Sequence, residues 1–125
     1  MSKKDDTVFL RHILDASNKI EEYTGNVNEM SFHQNTLIQD GVIRQIEIIG
    51  EATGRISKEL QDSYPNIPWQ DISGMRNKLI HEYFGVNLQA VWLTATNDVP
   101  FLKKEVQKIL SGLKKNAKNS PQLSQ

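Results

Sequence analysis

Met75-Arg76-Asn77-Lys78-Leu79-Ile80-His81-Glu82-Tyr83-Phe84, residues 75–84, is the stretch on which the reading of the chain turns. Taken as a helix at about 100° per residue, its apolar members Met75, Leu79, Ile80 and Phe84 share one broad arc with Trp69 and Ile72 upstream. Arg76 falls in the middle of that arc, and Tyr83 lies above it, about two turns on. Asn77 and His81 are i,i+4 neighbours at its edge. A fixed charge inside a hydrophobic stripe is costly unless it is paired or serves a site. Each polar residue has an ordinary explanation taken singly. Arg76 can be a buried partner of Glu47 or Glu51, as in many bundles. Tyr83 can be a core aromatic with its hydroxyl at the rim. His81 can be structural. Four polar groups on one short helix, where a packing helix would carry leucines, are the anomaly to explain.

Working outward, the surrounding segments read as helices. Upstream, Phe9, Ile13, Ala16, Ile20 and Tyr23 step by four and three, which predicts a helix from about Asp5 to Tyr23, closed by Gly25. Asn26–Glu29 reads as a polar connector. A longer helix is expected from Ser31 to Ser57, its core side formed by Leu37, Ile38, Val42, Ile46, Ile49 and Ile56. Ile43, Ile48 and Gly50 widen that stripe, so this helix should touch more than one neighbour. Gly50 and Ala52 would allow a close helix approach, which hints at a self-association surface. Lys58–Asn66 reads as a short helix or turn ending near Tyr64-Pro65. Pro68 opens the central helix and Gly85 closes it. Asn87 is placed to cap a short helix with Leu88, Val91, Trp92 and Ala95. Asp98 is placed to cap a last one with Leu102, Val106, Ile109, Leu110 and Leu113. No stretch alternates at period two. The expected architecture is all-α, a bundle of four principal helices plus a short one. The expected domain covers residues 1–115, with a polar, disordered tail at 116–125.

Composition narrows the function. The chain has 125 residues, a single domain's length. Lysine plus arginine and aspartate plus glutamate number 15 each, so no global basic field exists to hold long nucleic acid. Any RNA contact must be local and salt-sensitive. The absence of cysteine removes disulfides, zinc–thiolate sites and thiol catalysis. No apolar run approaches the ~20 residues that span a bilayer, and Met1–Asp6 lacks the form of a signal peptide. A cytoplasmic location with no membrane partner is the expectation. Metal motifs are missing too. A di-iron bundle needs a carboxylate three residues before each histidine, and Lys78 precedes His81 while Met30 precedes His33. No cofactor is expected. Lys103-Lys104 and Lys114-Lys115 read as a solvated face that can also steer phosphates.

The same segments carry a resemblance. Arg76 and His81 with four residues between them, then Tyr83, match the R-x4-H-x-Y motif of the HEPN superfamily. Ile67-Pro68-Trp69, Gly74-Met75-Arg76-Asn77 and Tyr83-Phe84-Gly85-Val86 resemble its HepT-type branch, as do Ile48-Ile49-Gly50-Glu51-Ala52 and Val91-Trp92. An R-x4-H spacing alone arises by chance in many chains; the run of local motifs in order is specific. The residues suit metal-free RNA cleavage. Histidine titrates near neutrality and serves as base or acid, while the arginine fork matches phosphate oxygens. Asn77 can orient the imidazole or hold a phosphate oxygen. One chain offers a single motif histidine, so a two-fold dimer, or a higher homo-oligomer, would supply both acid and base. The resemblance implies that dimer as well. It further implies a toxin of a type VII toxin–antitoxin system, with transfer RNA as a substrate. The implied partner is an MntA-type nucleotidyltransferase antitoxin that transfers AMP to Tyr83. The rival reading is a non-catalytic HEPN subunit that binds nucleotide or RNA for such a nucleotidyltransferase.

Overall fold

The computed structural model describes residues 3–75 and 87–118, with side chains from 5 to 75 and 87 to 115. Its described elements are all helical. They are α1 (Lys3–Thr24), α2 (Glu29–Gln34), α3 (Thr36–Gly54), α4 (Lys58–Ser63), α5 (Trp69–Ser73), α6 (Leu88–Leu93), a π-helical turn (Thr94–Asp98) and α7 (Val99–Lys118). An all-α bundle is therefore the fold. No described helix is long and apolar enough to cross a membrane.

The bundle is built on α1 and α3, with α7 packed across α1. From α1 come Leu10, Ile13, Ala16 and Ile20, at helix-face spacing and nearly without exposure. From α3 come Val42, Ile46 and Ile49, and from α7 Val106 and Ile109, all equally buried. Packing of this kind contributes roughly 1.5–3 kcal/mol per large side chain removed from water. The Tyr23 ring lies over Gly41, where a Cβ would come within 3.2 Å of it, so that glycine seats an aromatic between α1 and α3. Asp6 closes the far end of the bundle. Its buried carboxylate accepts from the Ser57 backbone N–H at 2.8 Å and from the Ser57 hydroxyl at 2.6 Å. The same Ser57 oxygen caps α4 by accepting from the Leu60 N–H.

Three expectations are corrected. The helix predicted from Ser31 to Ser57 is two helices, broken at Asn35. Asn28 caps the first through Ser31, and Asn35 caps the second through Ile38. The Gln39 amide spans the break by donating to the Phe32 carbonyl at 2.8 Å. With the break, Leu37 turns outward and is 82% exposed instead of serving the core. The central helix does not run unbroken from Pro68: α5 ends at Ser73, Gly74 forms a turn, and Met75 is helical again. Its predicted end near Gly85 lies outside the described residues. Asp98, finally, is no N-cap. The backbone stays helical through Leu93, Thr94 and Val99, so α6, the π turn and α7 form one run. That run continues to Lys118.

Candidate functional site

Arg76, Asn77, His81 and Tyr83 all lie outside the described residues, in the stretch 76–86 between Met75 and Asn87. What the structure does give is the pair of anchors on either side of that stretch, and the groove they border.

The upstream anchor is α5. Trp69 is buried and its indole N–H donates to the Tyr64 carbonyl at 3.0 Å, fixing the turn before the helix. Pro68 precedes the helix at its N-cap, where its missing N–H leaves nothing unpaired. The backbone of α5 then runs close against α3. A Cβ on Gly50 would meet the Ser73 carbonyl at 3.3 Å and the Ile72 carbonyl at 3.5 Å. The close approach foreseen at Gly50 is thus used inside the chain, by the segment that leads into Arg76, and gives no support to self-association. The Gly74 N–H bonds back to Gln70 and Ile72, ending the short helix one residue before Met75. Met75 is half-buried against the core.

The downstream anchor is Asn87. Its side chain accepts from the Ala90 N–H at 3.0 Å and caps α6, as its position predicted. Behind it Trp92 packs on Phe32 with ring centroids 5.2 Å apart, which ties α6 to α2. The π turn follows, where the Val99 N–H reaches five residues back to the Thr94 carbonyl. Turns of this kind often mark functional sites. Nothing in Thr94-Ala95-Thr96-Asn97-Asp98 announces one; the Asn-Asp pair reads as a cap.

Between the anchors lies a groove of about 700 Å³. Ile72, Gly74 and Met75 form one described wall, and Leu93, Thr94, Val99 and Phe101 another. Leu93 and Phe101 are nearly half exposed there. Asp71 and Asp98 stand on its lining, so the described part offers no cation to a phosphate. Such a cation must come from elsewhere. A hydrogen bond steadies the two walls: the Asn66 amide, two residues before Pro68, donates to Glu105 of α7 at 2.8 Å. Lys108 also donates to Glu105, at 3.1 Å. The Lys108 and Asn66 hydrogen bonds hold that carboxyl below the usual carboxylate range.

The two glutamates considered as partners for Arg76 have described neighbours of their own. Glu47 lies 3.8 Å from Arg44, and Glu51 lies 3.5 Å from Arg55. His12 and His33 are exposed, His12 edge-on to Phe9 and His33 3.7 Å from Glu29. Among the described residues no cluster of three or more histidine or carboxylate groups could hold a metal ion.

Comparison with known proteins bears on the stretch 76–86. The family model described as "Ribonuclease HepT-like" matches residues 13–109, which includes all of 76–86. A "Gamma-glutamylcyclotransferase and putative RNase" of Methanocaldococcus jannaschii is 44% identical over 94% of this chain. The chain spans only 53% of that relative's length. A "Putative RNase" of the same organism is 41% identical over 96% of this chain and 99% of its own. A "Probable ribonuclease HepT" of Thermococcus cleftensis is 38% identical over 86% of this chain and 97% of its own. No solved structure matches the chain.

Proposed function

Since the chain belongs to the HepT-like ribonuclease family, we propose that it is a metal-independent endoribonuclease whose catalytic residues are Arg76 and His81, assisted by Asn77. The observation that carries this reading is the intact R-x4-H-x-Y run within the matched residues 13–109. In the proposed reaction the ribose 2′-hydroxyl gives its proton to one imidazole and attacks the adjacent phosphorus. The bond to the 5′-oxygen breaks, and a second imidazole protonates that leaving oxygen. The products are a 2′,3′-cyclic phosphate and a 5′-hydroxyl. Arg76 offers two parallel N–H groups to the non-bridging oxygens as charge builds on the phosphorane. One chain supplies a single motif imidazole, so the working form in this reading is a homodimer with the motifs face to face.

Tyr83 is the regulatory position in this reading. An AMP group on its hydroxyl, placed there by a nucleotidyltransferase partner acting as antitoxin, would bring phosphate charge and bulk beside Arg76 and His81. RNA phosphate would be excluded, and the protein would act as the toxin of a toxin–antitoxin pair. Transfer RNA is the proposed substrate class.

The test is cleavage of mixed cellular RNA, transfer RNA included, with chelator present and with intact mass showing no AMP adduct. The wild-type protein is expected to cleave, and His81→Ala to lose at least about 100-fold of the rate. Undiminished cleavage by His81→Ala would remove the assignment. No cleavage by folded, unmodified wild-type protein would turn the reading to a non-catalytic subunit that binds RNA or nucleotide. For the regulatory role, Tyr83→Phe is expected to keep cleaving RNA in the presence of the nucleotidyltransferase and ATP. Inhibition of that variant by AMP transfer would show that the modified residue is another.

A further inference from the structure

The outward face of α7 differs from the rest of the surface in charge. Its exposed residues are Pro100, Phe101, Lys104, Gln107, Lys108, Ser111, Lys114 and Lys115, and none of them is acidic. Whole-chain charge is balanced at 15 against 15, so this face is a local excess. The one carboxylate within that span of α7, Glu105, is largely covered and already bound by Asn66 and Lys108. Lys104, Lys114 and Lys115 have no ion pair among the described residues. Lysines in a last turn are explained by the helix dipole alone, which accounts for Lys114 and Lys115. It does not account for Lys104 and Lys108, which lie far from the helix end. Phe101 stands one turn before Lys104 on the same face and is 47% exposed. It also lines the groove shared with Met75, the residue before Arg76.

We propose that this face of α7 carries the RNA strand beyond the cleavage point, with phosphates on Lys104, Lys108, Lys114 and Lys115 and a base stacked on Phe101. The inference rests on the ribonuclease reading and names the surface that would hold its substrate. Spaced lysines with hydroxyl and amide donors between them suit a flexible phosphate chain. An exposed phenyl ring at the end of a basic stripe suits an unpaired base. A protein with no global positive field needs such a local one.

The experiment measures binding of a 2′-O-methyl RNA oligonucleotide, which has no 2′-hydroxyl to be activated, across a salt series. The Lys104→Gln/Lys114→Gln/Lys115→Gln variant is compared with Arg11→Gln/Lys19→Gln/Lys58→Gln. Both remove the same charge from exposed positions, and both leave the Lys108 bond to Glu105 intact. The α7 variant is expected to bind at least tenfold more weakly, with a salt slope shallower by about 2, or about 0.7 per lost phosphate contact. The control variant should lose less than twofold. Phe101→Ala should weaken binding of the oligonucleotide while leaving binding of polyglutamate unchanged. Equal losses in the two triple variants, or none in either, would overturn the proposal. Loss of polyglutamate binding with RNA binding unchanged would overturn it in favour of an acidic protein partner. Wild-type protein that cleaves RNA while the triple variants behave alike leaves the ribonuclease reading standing without this surface. Wild-type protein that neither binds nor cleaves RNA removes both.

Discussion

The α1–α3 pair and the α5–α6 end of the bundle are made on different terms. In the first, two long helices of 22 and 19 residues meet through branched side chains that fill the space between them. In the second, helices of 5 and 6 residues are positioned by backbone contacts and caps, and a groove of about 700 Å³ stays open between their walls. Packing of side chains makes the first region rigid and indifferent to surface change. The second depends on a few placements: Gly50 under Ser73, the Trp69 indole on the Tyr64 carbonyl, and Asn87 on Ala90. The motif stretch 76–86 is joined in sequence to the second region, directly after Met75 and directly before Asn87. That division suits a site, since polar groups gathered for chemistry cannot also form a dry core.

Mutations can sharpen or break this contrast. The largest effect is expected in the long-helix pair, where Ile46→Ala removes a side chain only 1% exposed. It should cost about 2–5 kcal/mol in denaturant unfolding. Leu93→Ala in the groove wall should cost under about 1 kcal/mol by the same measurement, and equal costs would erase the distinction. Next come two glycines. Gly50→Val would drive side-chain atoms toward the Ser73 carbonyl and should destabilise by about 1–3 kcal/mol, with a loss of RNA cleavage larger than stability explains. Gly112→Ala meets nothing within 4 Å and should stabilise α7 by about 0.5–1 kcal/mol, with cleavage unchanged. A Gly50→Val chain that keeps both stability and activity would show that the close approach does not position the motif.

The smallest effect concerns pH. Glu105 titrates below its ordinary value of 4.5 in the folded chain, because Lys108 and Asn66 bind the charged form. Its folded value is depressed, so its contribution is present above the unfolded value and fades as pH falls through the folded one. Glu105→Gln should therefore lower the melting temperature near neutrality. The gap to wild type should close as the solution is taken well below 4.5. A gap that stays constant with pH would mean that the amide and carboxyl differ only in packing.

Much of this fold is legible in the sequence, for a physical reason that differs along the chain. Periodicity gives α1 directly, since Ile13, Ala16 and Ile20 are buried as their spacing requires. Asn87 is legible because a cap residue and its target N–H are only three positions apart. The break at Asn35 has a local cap of the same kind, on the Ile38 N–H three positions on, but hydrophobic spacing that continues across it from Phe32 to Ile38 hides it in a longer helical pattern. Leu37 is misread for the same reason. Gly50 shows the limit of composition: a small residue promises a close neighbour without saying whether it belongs to the same chain. Of the groove, Met75 and Gly74 were legible as neighbours of the motif. The wall made by the π turn was not, since an extra residue in a helical run leaves no compositional trace. Arg76, Asn77, His81 and Tyr83 rest on the motif and on the family to which the chain belongs.

That extra residue has a consequence for how the surface can change. The helical run from Leu88 to Lys118 holds the five-residue reach from Thr94 to Val99 within it. Removing one residue there would restore an ordinary ladder and turn everything beyond it by about 100° relative to α6. Val99 and Leu102 would leave the groove wall together, and the lysines beyond them would swing to a new bearing. The groove and the basic face are therefore set in phase by a single insertion, so a change of one residue in length would retune both at once where many substitutions would be needed to move either.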